Sequence, residues 1–117
     1  MKLDSAVFYS NDIPAVTDFY VKILGFKVEY QQVEKFVSFI FENGGRLGIK
    51  KAVEEREKPG AQTVFIGVED IESVYNELKA KGVVIRKDLN TLAGFGKNFS
   101  ILDPDQNKVQ FVERNQS

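Results

Sequence analysis

The 117-residue chain contains no cysteine and no histidine. Without cysteine there is no disulfide, no thiolate nucleophile and no thiolate metal site. Without histidine the chain lacks the commonest metal ligand and the one side chain that titrates near neutrality unaided. An excess of basic charge is missing as well. Sixteen Lys and Arg stand against 17 Asp and Glu, scattered rather than clustered, which speaks against a nucleic-acid partner. No apolar run approaches the length of a membrane span, and the N-terminus has no signal-peptide core. The expectation is a cytoplasmic protein without membrane contact. The length suits one domain-sized globule, with 43% apolar residues for a core and a size that favours dimerisation.

What is present is a repeat. Ser5–Val28 (S-A-V-F-Y-S-N-D-I-P-A-V-T-D-F-Y-V-K-I-L-G-F-K-V) reads as a strand, a capped amphipathic helix, a glycine stop and a second strand. Thr63–Ile85 (T-V-F-I-G-V-E-D-I-E-S-V-Y-N-E-L-K-A-K-G-V-V-I) repeats it. Ser5 falls on Thr63, Asp12-Ile13 on Asp70-Ile71 and Val16 on Val74, while Gly25 and Gly82 come within one position of each other. Duplication of one unit in so short a chain predicts two modules about a pseudo-two-fold axis.

In the first module Asn11 or Asp12 can cap a helix that tolerates Pro14 in its first turn and carries Val16, Phe19, Tyr20, Ile23 and Leu24 as an apolar stripe. Strands follow over Phe26–Gln32, Phe36–Glu42 and Arg46–Lys50, the last two joined through the hairpin signal Asn43-Gly44-Gly45. Ala52–Gln62, charged and containing Pro59-Gly60, reads as the linker. In the second module Asp70 caps a helix with Ile71, Val74, Tyr75 and Leu78 facing inward. Strands follow over Val83–Arg86, Asn98–Leu102 and Lys108–Val112, with Lys87–Gly96 as an irregular loop and Asp103-Pro104-Asp105-Gln106-Asn107 as a turn. The tail from Arg114 to Ser117 is expected to fray. The fold class is α+β: a single domain over 1–117, with one βαβββ module at about 3–51, a linker at about 52–62 and a second module at about 63–113.

The segments D-I-P-A-V-T-D-F-Y-V-K-I-L-G-F, V-E-D-I-E-S-V-Y-N-E-L-K-A-K-G-V and L-D-P-D-Q-N-K-V-Q-F resemble the vicinal oxygen chelate superfamily, which includes glyoxalase, extradiol dioxygenases and bleomycin-resistance proteins. The resemblance runs over residues 3–113. It implies strands curled into a cup, helices outside and a ligand within. The superfamily's enzymes hold a divalent metal with four side chains, one from the first and one from the last strand of each module. Carried over, these positions fall on Ser5, Gly48, Thr63 and Gln110. None is a competent ligand, because a divalent cation needs anionic carboxylates or neutral imidazoles to offset its dehydration. Asp4, Glu29, Glu42, Glu69 and Glu113 lie near the strands but read as solvated edge residues, since strand alternation keeps a neighbour from replacing a lost ligand. No metal and no cofactor is expected.

With those four positions facing the cup, alternation adds Val7, Tyr9, Arg46, Lys50, Phe65, Gly67, Lys108 and Val112. Ala6, Phe8, Leu47, Ile49, Val64, Ile66, Val109 and Phe111 then face the helices, an all-apolar set that supports the register. Phe39 and Phe41 depend on the hairpin: a two-residue loop turns them into the cup, a three-residue loop into the core. Gly48 leaves space, either for a flat ligand or for crowded neighbours. Tyr9 and Phe65, with Phe39 or Phe41, offer aromatic surfaces for stacking. Arg46, Lys50 and Lys108 offer cations for an anionic group, against the simpler reading of side chains reaching water at a rim. Phe95 between Gly94 and Gly96 offers a lid anchor, or merely packs its own loop.

The function these readings favour is metal-free sequestration of a planar or anionic small molecule by a homodimer, as the resemblance to bleomycin-resistance proteins implies, rather than catalysis. The alternatives are a glyoxalase, lyase or dioxygenase-like enzyme with a non-standard site, and a vestigial cup serving protein interaction.

Overall fold

The computed structural model describes residues 1–114, so the fraying expected of the tail falls, for 115–117, outside the described residues. The elements are β1 (Ser5–Ser10), α1 (Ile13–Asp18), a π-helical turn continuing it (Phe19–Ile23), β2 (Lys27–Gln32), β3 (Phe36–Ile40), β4 (Arg46–Lys51), β5 (Thr63–Gly67), α2 (Ile71–Ala80), β6 (Ile85–Leu92), β7 (Gly96–Leu102) and β8 (Lys108–Glu113). They make two four-stranded sheets, ordered β1-β4-β3-β2 and β5-β8-β7-β6. In each, the first strand pairs in parallel with the last and the remaining pairs are antiparallel. Two βαβββ modules of an α+β fold are therefore present. The chain separates into two compact units, Met1–Gln62 with Asp103–Asn107, and Thr63–Leu102 with the strand that starts at Lys108.

The helices begin where the sequence places their caps. Asp12 Oδ1 accepts from Ala15 N at 3.1 Å, and Asp70 Oδ1 accepts from Ser73 N at 3.2 Å, each satisfying an amide that has no partner inside the helix. Beyond Asp18 the first helix widens: Leu24 N donates to Phe19 O at 3.2 Å and Phe26 N to Tyr20 O at 2.9 Å. The wider turn lets Tyr20 pack fully buried, its ring centroid 5.4 Å from those of Phe19, Phe26 and Phe39. Val37, Phe39, Leu47 and Ile49 form the sheet side of this core beneath Ile13 and Val16. In the second unit Ile71 and Leu78 cover Phe99, Ile101, Val109 and Phe111, with Phe99 stacked on Phe111 at 5.0 Å. Of the residues expected to face the helices, Ala6 is exposed, and Val64 and Ile66 are only half-buried.

One alternative left open by the sequence is decided against the cup, and one expectation is corrected. Phe39 lies in the core, because the β3–β4 connection has three loop residues, Glu42-Asn43-Gly44, and pairs Phe39 with Leu47. Phe41 N donates to Gly45 O, Gly44 N donates to Phe41 O, and Gly44 sits at φ +84°, the left-handed position such a three-residue loop requires. Phe41 follows Phe39 to that side and packs edge-on against Phe26 at 5.0 Å. The correction concerns 87–96, expected as an irregular loop and largely strand: β6 runs from Ile85 to Leu92 with register breaks between Ile85 and Lys87 and between Lys87 and Asn90. An edge strand interrupted by bulges shows no regular alternation, so its polar residues look like a loop.

The turn Asp103–Asn107 belongs to the first unit through a buried polar network. Asp103 Oδ2 accepts from the Tyr20 hydroxyl at 2.8 Å and Asn107 Nδ2 at 3.2 Å, and Oδ1 from the amides of Asp105 and Asn107 at 2.8 and 2.9 Å. Asn107 also donates to Tyr9 O at 2.9 Å and accepts from Gly60 N at 2.8 Å. Ser10 Oγ donates to Asp105 Oδ2 at 2.6 Å. Burial holds the Asp103 carboxyl above its ordinary value despite the Tyr20 bond, and burial beside Asp103 raises the Tyr20 phenol far above its own.

Candidate functional site

Each sheet has one face under its helix and one turned away from it. On the first sheet the face away from α1 carries Ser5 beside Arg46, Val7 beside Gly48, and Tyr9 beside Lys50, with Ile40, Ser38 and Phe36 continuing these rows on β3. Paired residues share a face, so the sequence register holds at all six β1 and β4 positions.

Their chemistry differs from the expectation in three ways. Gly48 is not open: the Phe36 ring lies where a Cβ would stand, 3.0 Å from its ideal position, with Val7 Cγ2 at 3.7 Å. The space belongs to a neighbouring ring, so the flat-ligand reading of Gly48 fails. Arg46 is neutralised, its Nε donating to Glu29 Oε1 and Oε2 at 2.8 and 2.9 Å, with Asp4 3.7 Å from NH1. The Glu29 carboxylate holds the guanidinium above its ordinary value. Lys50 Nζ donates to both oxygens of Glu57, at 2.7 and 2.6 Å. Neither cation is left for an anionic ligand.

Glu57 also closes the segment expected as a linker, accepting from Val53 N at 2.9 Å and Glu54 N at 3.0 Å. Its Lys50 bond, then the Glu54 and Val53 amides, pull its carboxyl from 4.5 down to about 2. A depressed carboxyl contributes stability that is fully present above its unfolded value and lost as pH falls through the folded one. Unfolding of the native chain therefore becomes easier between about pH 4.5 and pH 2. In Glu57→Gln that part of the profile flattens, as denaturant titrations at stepped pH will register. An unchanged profile removes Glu57 as the source.

The second sheet is built on the same register and filled differently. Its face away from α2 carries Thr63 beside Lys108, Phe65 beside Gln110 and Gly67 beside Val112, with Leu102, Ser100 and Asn98 completing the rows. Phe65 is 50% exposed, and its ring meets that of Phe95 edge-on at 5.4 Å. The Arg114 guanidinium lies 4.3 Å over the Phe95 ring, a cation–π contact. Lys108 is half-buried and has no ion-pair partner among the described residues. Arg86 NH1 stands 3.5 Å from Ser100 Oγ. Here the open glycine is Gly67, where an added Cβ meets nothing within 4 Å. Val112 shares the face but is buried, so it packs rather than offers surface.

The acids of β6 and β8 turn the other way: Asp88 is hydrogen-bonded by the Tyr75 hydroxyl, and Glu113 accepts from Ile71 N at 3.1 Å. No carboxylate of these strands answers Lys108, Arg86 or Arg114. The residues that sequence reasoning missed are Phe36, Asn90, Asn98, Ser100, Arg86 and Arg114. Phe36, Asn98 and Ser100 were within reach by extending alternation to β3 and β7, whereas Arg86 and Asn90 were hidden by the bulges of β6.

The four positions that hold metal in the superfamily's enzymes do not fit a divalent cation. Ser5 and Gly48 lie on one face of the first sheet, and Thr63 and Gln110 on the matching face of the second, but they supply hydroxyls, an amide and no side chain at all. Among the described residues no three of His, Cys, Asp and Glu cluster to share an ion. Two surface grooves, of about 350 and 210 Å³, lie between the start of α1 and the β2–β3 turn around Glu34. They touch the faces just described only at Phe36. No helix among the described residues is long and apolar enough to cross a membrane.

The family model Glyoxalase/Bleomycin resistance protein/Dioxygenase superfamily matches residues 2–111. No curated protein matches the chain. Among solved structures the chain is similar to TnmS3, an antibiotic binding protein from Streptomyces sp. CB03234, with TM-score 0.86 and 17% identity over 98% of this chain and 97% of that one. It is also similar to the bleomycin-binding protein of Streptomyces verticillus complexed with copper(II)-bleomycin, with TM-score 0.80 and 21% identity over 98% of each chain. A third similar structure is lactoylglutathione lyase from Agrobacterium tumefaciens, with TM-score 0.82 and 14% identity over 96% of this chain and 92% of that one. At these identities the likeness shows the fold.

Proposed function

This chain belongs to the glyoxalase/bleomycin resistance protein/dioxygenase superfamily, and from that premise we propose that it is a metal-free binding protein which sequesters a planar, anionic small molecule at the exposed Phe65 end of the second sheet's face turned away from α2. One observation carries the reading: the exposed Phe65, edge-on to a half-buried Phe95, lies on a face whose cations have no opposing carboxylate among the described residues. An exposed aromatic offers stacking, and an unpaired cation favours an anion without first breaking an ion pair. The first sheet has lost that capacity, because Arg46 and Lys50 are both engaged. Neighbours named as binding an antibiotic and bleomycin support sequestration over turnover. The poor donor set at Ser5, Gly48, Thr63 and Gln110 argues in the same direction. The chain acts in this reading as a homodimer with two equivalent sites, to be checked by light scattering of the eluted species.

The direct test is a thermal-shift screen of planar aromatic carboxylates, run with and without chelator. A ligand at 100 times its dissociation constant stabilises the native state by about 2.7 kcal/mol. The shift is expected to ignore the chelator, to fall at least tenfold in affinity in Phe65→Ala and to weaken in Lys108→Ala. A shift that needs a divalent cation, or that both variants retain in full, overturns the reading.

A further inference from the structure

Three side-chain amides stand in series on the face of the second sheet turned away from α2, and backbone carbonyls set their direction. Asn90 Nδ2 donates to two backbone carbonyls, Asp88 O at 2.8 Å and Asn98 O at 3.4 Å. A carbonyl only accepts, so these bonds decide which end of the Asn90 amide is nitrogen. The oxygen of Asn90 then accepts from Asn98 Nδ2 at 3.3 Å, and the same nitrogen donates to Gly96 O at 3.3 Å. Asn98 is 2% exposed, so reversing its amide would set buried like groups against each other. Its oxygen in turn accepts from Gln110 Nε2 at 3.1 Å. The polarity passes along the row, and Gln110 is left with Nε2 turned to Asn98 and Oε1 turned away from it.

Nothing among the described residues donates to that oxygen, and Gln110 is only half-buried. It is a hydrogen-bond acceptor of fixed direction. Its strand-pairing partner is the exposed Phe65, and Lys108 is two residues away on the same strand and face. The matching position in the first module is Gly48, which makes no such offer because the Phe36 ring covers it.

We propose that Gln110 is a specificity-determining residue, selecting planar anions that carry an N–H or O–H donor at the ring edge over isosteres that lack it. The inference rests on the binding reading above and names the ligand class within it: heteroaromatic carboxylates of the indole or pyrrole type. Asn98 is a positioning residue, since it acts only by holding the Gln110 amide.

The probes are indole-2-carboxylate and its ring-oxygen isostere benzofuran-2-carboxylate, titrated by calorimetry against the full chain. One hydrogen bond made to the first and not the second predicts about a tenfold preference for the indole. Gln110→Met, similar in volume but without an acceptor, is expected to bind both equally. Asn98→Ala, which removes the acceptor holding Nε2, is expected to shrink the preference by freeing the Gln110 amide to turn over. Equal affinity of the wild type for both probes overturns this inference while leaving the binding site in place. Binding of neither overturns the site as well. A preference that persists undiminished in Gln110→Met overturns the assignment to Gln110.

Discussion

Asp103→Ala unfolds at much lower denaturant than the wild type, with a loss of about 3–5 kcal/mol. The carboxylate is 2% exposed and accepts four hydrogen bonds, from the Tyr20 hydroxyl, the Asn107 amide group and the backbone of Asp105 and Asn107. Removing one bond between paired groups costs about 1 kcal/mol, but stranding a buried donor costs about 1–3 kcal/mol. Several donors are stranded at once here, so the total exceeds any single bond, although water reaching the half-buried Asp105 reduces it. Tyr20→Phe removes only the hydroxyl and is expected to cost about 1 kcal/mol. The two variants together form a test: their effects should fall short of additive, because the Tyr20–Asp103 bond is counted in both. Urea titrations of the two single variants and the double variant supply the numbers. A loss near 1 kcal/mol for Asp103→Ala would mean that the turn is held by its own backbone rather than by this carboxylate.

The network also marks how far reading the chain in order can go. Asp103-Pro104-Asp105-Gln106-Asn107 is legible as a turn from its residues alone, since all of them favour tight backbone reversals. Its attachment to Tyr20, Tyr9, Ser10 and Gly60 is not, because those contacts span 47 to 98 positions and no local pattern encodes them.

The same division runs through the candidate site. Strand alternation has a period of two, so one correct anchor in a strand assigns every other residue. That is why Ser5, Val7 and Tyr9 share a face with Arg46, Gly48 and Lys50, and Thr63 and Phe65 with Lys108 and Gln110. Whether a cation on that face is free depends on an acid elsewhere in the chain. Glu29 is 17 positions from Arg46, and Glu57 reaches back to Lys50 across an irregular loop. Alternation says nothing of either. Gly48 and Gly67 show the same limit: both are strand glycines, and only the position of the Phe36 ring makes one crowded and the other open. The duplicated register is thus legible in the chain, while the divergence that leaves one face neutralised and the other cationic is not.

Phe39→Ala decides the register on which the first of those faces rests. Phe39 is fully buried, with ring centroids of Tyr20 and Phe26 at 5.4 and 5.8 Å. Truncating a buried phenylalanine removes its transfer free energy and leaves a cavity, typically a loss of about 3–5 kcal/mol. Tyr20 cannot move in to close it, because its hydroxyl is tied to Asp103. Had the β3–β4 connection held two loop residues instead of three, Phe39 would lie on the face with Arg46 and Gly48. Its removal would then cost little. Phe65→Ala is the matched control: half exposed on the second sheet, it is expected to change stability by less than about 1 kcal/mol while abolishing stacking. The pair should therefore separate, one variant losing fold and the other losing ligand. Equilibrium unfolding and ligand titration of both will show it, and a Phe39→Ala that stays within about 1 kcal/mol of wild type would mean the side chain is not in the core.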